Sequence, residues 1–231
     1  MRIAVIAALL SVAGCAHSPP YDPDDPLEPV NRAVFSFNEG ADRYLLRPVA
    51  RAYEWSLPRF VRTGVGNFFR NLLTPATVLN DLLQLKPKQA GIDVGRFVIN
   101  TTIGLGGLVD VATTEGIAPS EEDFGQTLGH WGVGPGWYLM LPFLGPSTNR
   151  DLVGATGDYF SNPTAYVDDP EVTWGLAALD TVDTRAQFLP LDSVIEQQLD
   201  RYVFIRNAYL QNRLNKVYDG NPPKEDFDFG D

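Results

Sequence analysis

Cysteine, histidine and methionine are scarce in this 231-residue chain, which holds one Cys, two His and two Met. Each scarcity closes a class of chemistry. A lone cysteine, Cys15, forms no internal disulfide, so stability must come from packing. With only His17 and His130 beside it, a zinc site lacks ligands. A serine–histidine hydrolase would have to use His130, and no G-x-S-x-G elbow surrounds any serine. His130, next to Trp131, reads instead as part of a packed turn. Glu121, Glu122 and Asp123 have the chemistry of a glycoside hydrolase pair, but as an adjacent run they read as a solvated loop or helix cap. Gly104-Leu105-Gly106-Gly107 has Val109 where a dinucleotide loop needs its third glycine, and it follows a predicted helix rather than a strand. No catalytic, cofactor or metal site is expected. Positive charge is also short: 18 basic residues face 29 acidic ones, which argues against nucleic acid as a partner. Beyond the first residues, no apolar run approaches the roughly 20 residues of a membrane-spanning helix. The many alternating segments of a membrane barrel are missing too.

What is present begins at the N-terminus. Arg2 and the apolar run Ile3 to Val12 read as a secretory signal over residues 1–14. Val12-Ala13-Gly14-Cys15 resembles a bacterial lipobox, which makes Cys15 the expected lipid attachment site. Ala16 follows, rather than the aspartate that retains lipoproteins in the inner membrane, so the outer membrane is favoured. Residues 15–25 read as a lipidated N-terminus and extended tether, 26–218 as a helical domain, and 219–231 as a disordered acidic tail. Charge is uneven: residues 16–100 carry net +1 and residues 101–231 net −13. Either the first half faces anionic headgroups or the charges simply solvate a surface.

Helical spacing dominates the body. Asp25, Pro26 and Glu28 read as a helix start, with Val30, Val34, Phe37, Ala41, Tyr44 and Leu45 following until Pro48 breaks or kinks the run. Residues 57–72 split into an apolar half and a half bearing Arg59, Arg62, Thr63, Asn67, Arg70 and Asn71. Such a helix covers a soluble core, or sets its apolar face against lipid while the arginines line a polar passage. Thr74-Pro75 predicts a restart through Leu83, Lys86-Pro87-Lys88 a turn, and residues 89–103 a largely apolar helix. Ser147 or Thr148 can cap a helix toward Tyr159, helical spacing returns at 172–188, and a last helix runs from Asp192 to Val217. Trp137 to Phe143 is the best strand candidate. The chain reads as mostly α-helical, entering a bilayer only with helices that lie within one leaflet.

Five segments resemble the MlaA family, also called VacJ lipoproteins. They are DPLEPVNRAVFSFNEGADRYLLRPVA (25–50), NTTIGLGGLVDVA (100–112), FGQTLGHWGVGPGWYLMLPFLGPSTNRD (124–151), DTRAQFL (183–189) and DRYVFIRNAYLQNR (200–213). Trp137 stands where the family's proline is expected, and the tail is short. The resemblance implies an all-α ring of amphipathic helices in one leaflet around a central amphipathic channel. It implies removal of mislocalised outer-leaflet phospholipids through that channel, with trimeric porin and a soluble periplasmic phospholipid carrier as partners. It also implies roles: Gly104, Gly106 and Gly107 as hinge or gate residues, and Phe37 and Asn38 as residues setting the channel state. A scaffold that binds porin without touching lipid, and an enzyme such as a lipase, are the rival readings.

Overall fold

The computed structural model describes residues 25–223. The signal segment, Cys15, most of the tether and the tail beyond 223 lie outside the described residues.

The fold is helical except for one short hairpin. α1 (Glu28–Ala41) begins with Pro29 in its first turn. Asp25 does not cap it. This residue, expected in the tether, is buried and accepts hydrogen bonds from Asn31 Nδ2 (2.8 Å), Arg206 Nη1 (3.2 Å) and the Tyr202 hydroxyl. Pro48 does not break the chain path either. A π turn (Asp42–Leu46) widens the helix, with Arg47 N–H reaching back five residues to the Asp42 carbonyl, and Pro48 then falls in the first turn of α2 (Arg47–Ser56). The wider turn accommodates the ring and the missing donor together.

Leu57 is extended, as a residue before proline prefers, and α3 (Arg59–Leu83) follows as one continuous helix with Pro75 inside it. The expected restart at Thr74–Pro75 is absent. An interior proline costs about 3 kcal/mol; here buried residues on both sides, Phe69 and Asn71 before it and Ala76, Thr77, Asn80 and Asp81 after it, hold the helix together. α4 starts earlier than expected, with Pro87 in its first turn, and runs from Pro87 to Thr102. α5 (Val111–Thr114) is a single turn, and α6 (Phe124–His130) is capped by Asp123. β1 (Tyr138–Leu141) pairs antiparallel with β2 (Gly145–Thr148), Tyr138 opposite Thr148 and Leu141 opposite Gly145. Thr148 caps α7 (Asn149–Ser161), and Asp169 caps α8 (Pro170–Phe188). The final helix is broken: α9 (Asp192–Glu196) stops, and Asp200 caps a new helix, α10 (Arg201–Val217). The Asp200 carboxylate accepts from Val203 N–H and from Arg32, and this competes with helix continuation. Past Val217, Asp219 pairs with Lys86 at 2.6 Å.

Neighbouring elements pass contact from α1 to α2, α8, α3, α6, α10, β2, β1 and back to α1. Burial across the described residues is inverted. Buried polar and charged side chains outnumber buried hydrophobic ones, and several of the latter are alanines. α4 illustrates it: Asp93, Arg96 and Asn100 are buried while Val94 and Val98 are exposed. All four tryptophans are exposed, Trp55 at 90% and Trp174 at 76%. In water such a distribution is unfavourable. Against lipid tails it costs nothing, because the surroundings are as apolar as the side chains. No helix is long and apolar enough to cross a membrane among the described residues.

One buried group stands out. Asp81 is 0% exposed, and both its carboxylate oxygens lack a hydrogen-bond partner. Burial, with the charges of Asp93 and Glu122 beside it, pushes its carboxyl up to about 7. The folded protein therefore holds a proton that the unfolded chain releases near pH 4. This group's stabilisation is complete below the unfolded value and is lost as pH rises through 7. Asp81→Asn is expected to raise the melting temperature more at pH 8 than at pH 5. Thermal unfolding followed by circular dichroism in detergent checks it, and an equal shift at both values would mean the carboxyl is charged throughout.

Candidate functional site

Two polar cavities meet at Arg70. The first, about 530 Å³, lies among α3, α4 and the segment leading into α6, and is lined by Arg70, Asn71, Asp93, Arg96, Asn100 and Asp158 among others. The second, about 510 Å³, lies between α3 and α8 and carries Arg59, Arg62 and Arg70 along one wall. The α3 face bearing these arginines is the polar half already visible in the sequence; it lines the second cavity, with Arg59 and Arg70 still exposed.

Within the first cavity the charges are tied to the backbone. Arg96 donates to both Asp110 oxygens at 3.1 Å and to the Ile117 carbonyl. Asn100 donates to Asp110 at 3.0 Å and accepts from Ala112 N–H at 2.9 Å. Burial works against the Asp110 charge, but hydrogen bonds from Thr113 and Asn100 and the Arg96 guanidinium hold its carboxyl below the usual range. Asp158 sits in the same wall, and burial pushes it up to about 6 although Phe124 N–H donates to it. Arg96 and Asn100 were not singled out from the sequence. Their signal was there: polar residues at 93, 96 and 100 recur at helical spacing within an otherwise apolar helix.

The Arg96–Asp110 pair closes the base of the loop that holds the three candidate glycines. A Cβ at Gly104 would lie 2.2 Å from the Val109 carbonyl oxygen and 2.4 Å from that of Asn100. Gly107, at φ +90°, is pressed on Asn71, where a Cβ would stand 2.5 Å from the Asn71 Cβ. Gly106, at φ +71°, faces open space. Ile103, Leu105, Leu108 and Val109 of the same loop are exposed.

Phe37 and Asn38 sit elsewhere, against the hairpin, and line neither cavity. Asn38 donates to the Leu141 carbonyl and accepts from Phe143 N–H, both at 2.9 Å, while the Phe37 and Phe143 rings meet edge-on at 5.0 Å. Asn31, two helical turns earlier, treats β1 the same way: it donates to the Tyr138 carbonyl at 3.0 Å and accepts from Met140 N–H at 2.9 Å. Trp137 is half exposed at the start of the hairpin, and His130 is exposed at the end of α6 rather than packed. Glu121, Glu122 and Asp123 do not form a free acidic loop: Asp123 caps α6 and pairs with Arg213, Glu122 with Lys86 and Glu121 with Lys216. Among the described residues no cluster of His, Cys, Asp and Glu is disposed to hold a metal.

The family model described as MlaA lipoprotein matches residues 23–216. The chain belongs to the MlaA lipoprotein family. This is a family of lipid-transport lipoproteins and not of enzymes. The intermembrane phospholipid transport system lipoprotein MlaA of Escherichia coli K12 is 39% identical over 206 residues, covering 87% of this chain and 82% of that protein. Its namesake in Haemophilus influenzae is 35% identical over 230 residues, covering 94% and 91%. An uncharacterised protein of Rickettsia typhi is 39% identical over 195 residues, covering 84% and 78%. A solved structure, described as the structural basis for maintenance of bacterial outer membrane lipid asymmetry, superposes with a TM-score of 0.75 at 38% identity. The match covers 85% of this chain and 99% of that one.

The glycine geometry in this MlaA-family chain predicts unequal substitutions. Gly104→Ala and Gly107→Ala each force backbone or packed side chains apart and should cost about 1–3 kcal/mol, whereas Gly106→Ala meets only the strain of its positive φ, about 1 kcal/mol. Melting temperatures of the three single variants test the order.

Proposed function

We propose that this chain removes mislocalised phospholipid from the outer leaflet of the outer membrane through a central amphipathic channel and hands it to a soluble periplasmic carrier. The observation that carries the reading is the inversion of burial: apolar side chains and all four tryptophans face outward, and arginines and carboxylates face the cavities. That arrangement suits a protein embedded among acyl chains with a polar way through it. A headgroup crossing hydrocarbon alone faces several kcal/mol, and a passage lined with charged and polar side chains removes most of that barrier. The closed circuit of element contacts supports a ring around this passage.

In this reading Cys15 carries the lipid anchor and the helices lie in the periplasmic leaflet. A trimeric porin is the membrane neighbour, and the exposed apolar faces are where it would dock. The loop carrying Gly104, Gly106 and Gly107 is the gate. Because Gly104 and Gly107 are locked by contacts, the hinge rests on Gly106 and on Leu105, whose φ is +55°. Phe37 and Asn38 set the channel state by holding the hairpin, not by lining the passage.

The test is outer-leaflet phospholipid in a deletion strain complemented with wild type or with Cys15→Ala. Accumulation reversed by wild type alone is the expected result. An unchanged outer leaflet would leave a porin-binding scaffold as the better account.

A further inference from the structure

The wall of the second cavity holds more positive charge than the protein itself neutralises. Arg59, Arg62, Gly66 and Arg70 lie at helical spacing on one face of α3, and Arg59 and Arg70 stand about 16 Å apart at 1.5 Å per residue. Arg62 pairs with Glu54 at 3.0 Å, but its Nε is buried without an acceptor. Arg70 reaches only the neutral Asn67 amide, and Arg59 has no carboxylate partner among the described residues. Asp183, the other carboxylate in the wall, is already engaged: it accepts from the Tyr53 hydroxyl at 2.7 Å and from Gln187 at 2.8 Å. Gly66 keeps the floor open between the arginines, since a Cβ there would crowd Gln187 and Asp183 at 3.1 and 3.2 Å. Arg59 and Arg70 are exposed and Arg62 is half-buried. In a chain of net charge −11, where Arg96, Arg185 and Arg213 are each matched by carboxylates, a column along one cavity wall without such partners points to an anionic ligand.

We propose that Arg59, Arg62 and Arg70 form a phosphodiester-binding ladder that takes the lipid phosphate into the cavity between α3 and α8 and delivers it at Arg70 to the cavity beside α4. The inference rests on the phospholipid-transport reading above and gives it a headgroup site. The guanidinium fork matches two phosphate oxygens at once, so the ladder reads the phosphate shared by all phospholipids rather than the group esterified to it. Spacing along the helix gives successive positions, each within reach of the next. The pairing of Arg62 with Glu54 keeps the middle rung weaker than the ends, so a phosphate is passed on rather than trapped.

The experiment uses full-length lipoprotein purified in detergent and loaded from vesicles of phosphatidylethanolamine and phosphatidylglycerol, with bound phosphorus measured after lipid extraction. Arg59→Gln/Arg70→Gln should carry about tenfold less phospholipid than wild type, as expected for losing charge-assisted hydrogen bonds. Arg51→Gln, which removes an exposed arginine on α2 outside the cavity, should carry the wild-type amount. Arg59→Lys/Arg70→Lys keeps the charge without the fork and should fall between. Neither target forms an ion pair among the described residues, so helix content should be unchanged. If wild type is loaded and the Gln pair is loaded equally, the ladder is overturned while the transport reading stands. If inorganic phosphate alone raises the melting temperature of wild type but not of the Gln pair, with equal lipid loading, the site takes a free anion and the lipid assignment fails. If wild type carries no phospholipid and the deletion strain keeps its asymmetry, the transport reading falls and takes the ladder with it.

Discussion

Arg213 holds together the part of the molecule that hydrophobic packing leaves undone. From α10 it donates two hydrogen bonds to Asp123 at the head of α6, at 2.6 and 2.9 Å, and two to Asp151 in α7, at 3.0 and 2.9 Å. Burial opposes both carboxylate charges. Arg213, with Tyr209 at Asp151 and Gln126 at Asp123, nevertheless keeps both carboxyls below their usual range. Three helices are thereby joined at one guanidinium. Removing it would leave the partly buried Asp123 without a cation and Asp151 with Arg150 alone, which is costlier than losing a surface pair. Asp42 and Asp192 with Arg185 and Arg47 make a second such joint, fastening the π turn to α8 and α9. A molecule with polar cavities inside and apolar side chains exposed outside has few oily contacts to bring its helices together, so its corners are ionic.

The same inversion explains why only part of this architecture was legible in the sequence. An amphipathic period is identical whether the apolar side faces inward or outward. The α3 pattern at 57–72, the Thr148 cap and the strand around Trp137 to Phe143 depend on local propensity, and they appear where the sequence placed them. The roles of Asp93, Arg96 and Asn100 depend on which side is the inside, and a helix taken as largely apolar concealed them. The three arginines of α3 were assigned to a polar half but left undecided between solvent and passage for the same reason.

Where the sequence misled, long-range contacts overrode local rules. Pro75 ought to end a helix, yet buried residues on both flanks keep α3 continuous. Asp25 has the look of a cap, but Tyr202, Arg206 and Asn31 draw it into the core. Asp200 breaks the last helix because its carboxylate is shared between Val203 and Arg32. Tyr202 and Arg206 lie far in sequence from Asp25, as Arg32 does from Asp200, and a window of a few residues cannot contain them. The glycine loop is a related case: Gly104 and Gly107 look like freedom in the sequence and prove to be close approaches of backbone and side chain.

The grip of α1 on the hairpin has a metrical side. Asn31 and Asn38 are seven residues apart on the helix, about 10.5 Å at 1.5 Å per residue. The backbone pairs they hold, Tyr138 with Met140 and Leu141 with Phe143, begin three residues apart on an extended chain, about 10 Å at 3.3 Å per residue. Two structures of different pitch thus come into step at both points, like the scales of a vernier. Such a match admits no sliding: a residue added to the helix between the asparagines would turn the second by about 100° and carry its amide off the hairpin altogether. Length along α1 is therefore held as strictly as the identity of the two amides.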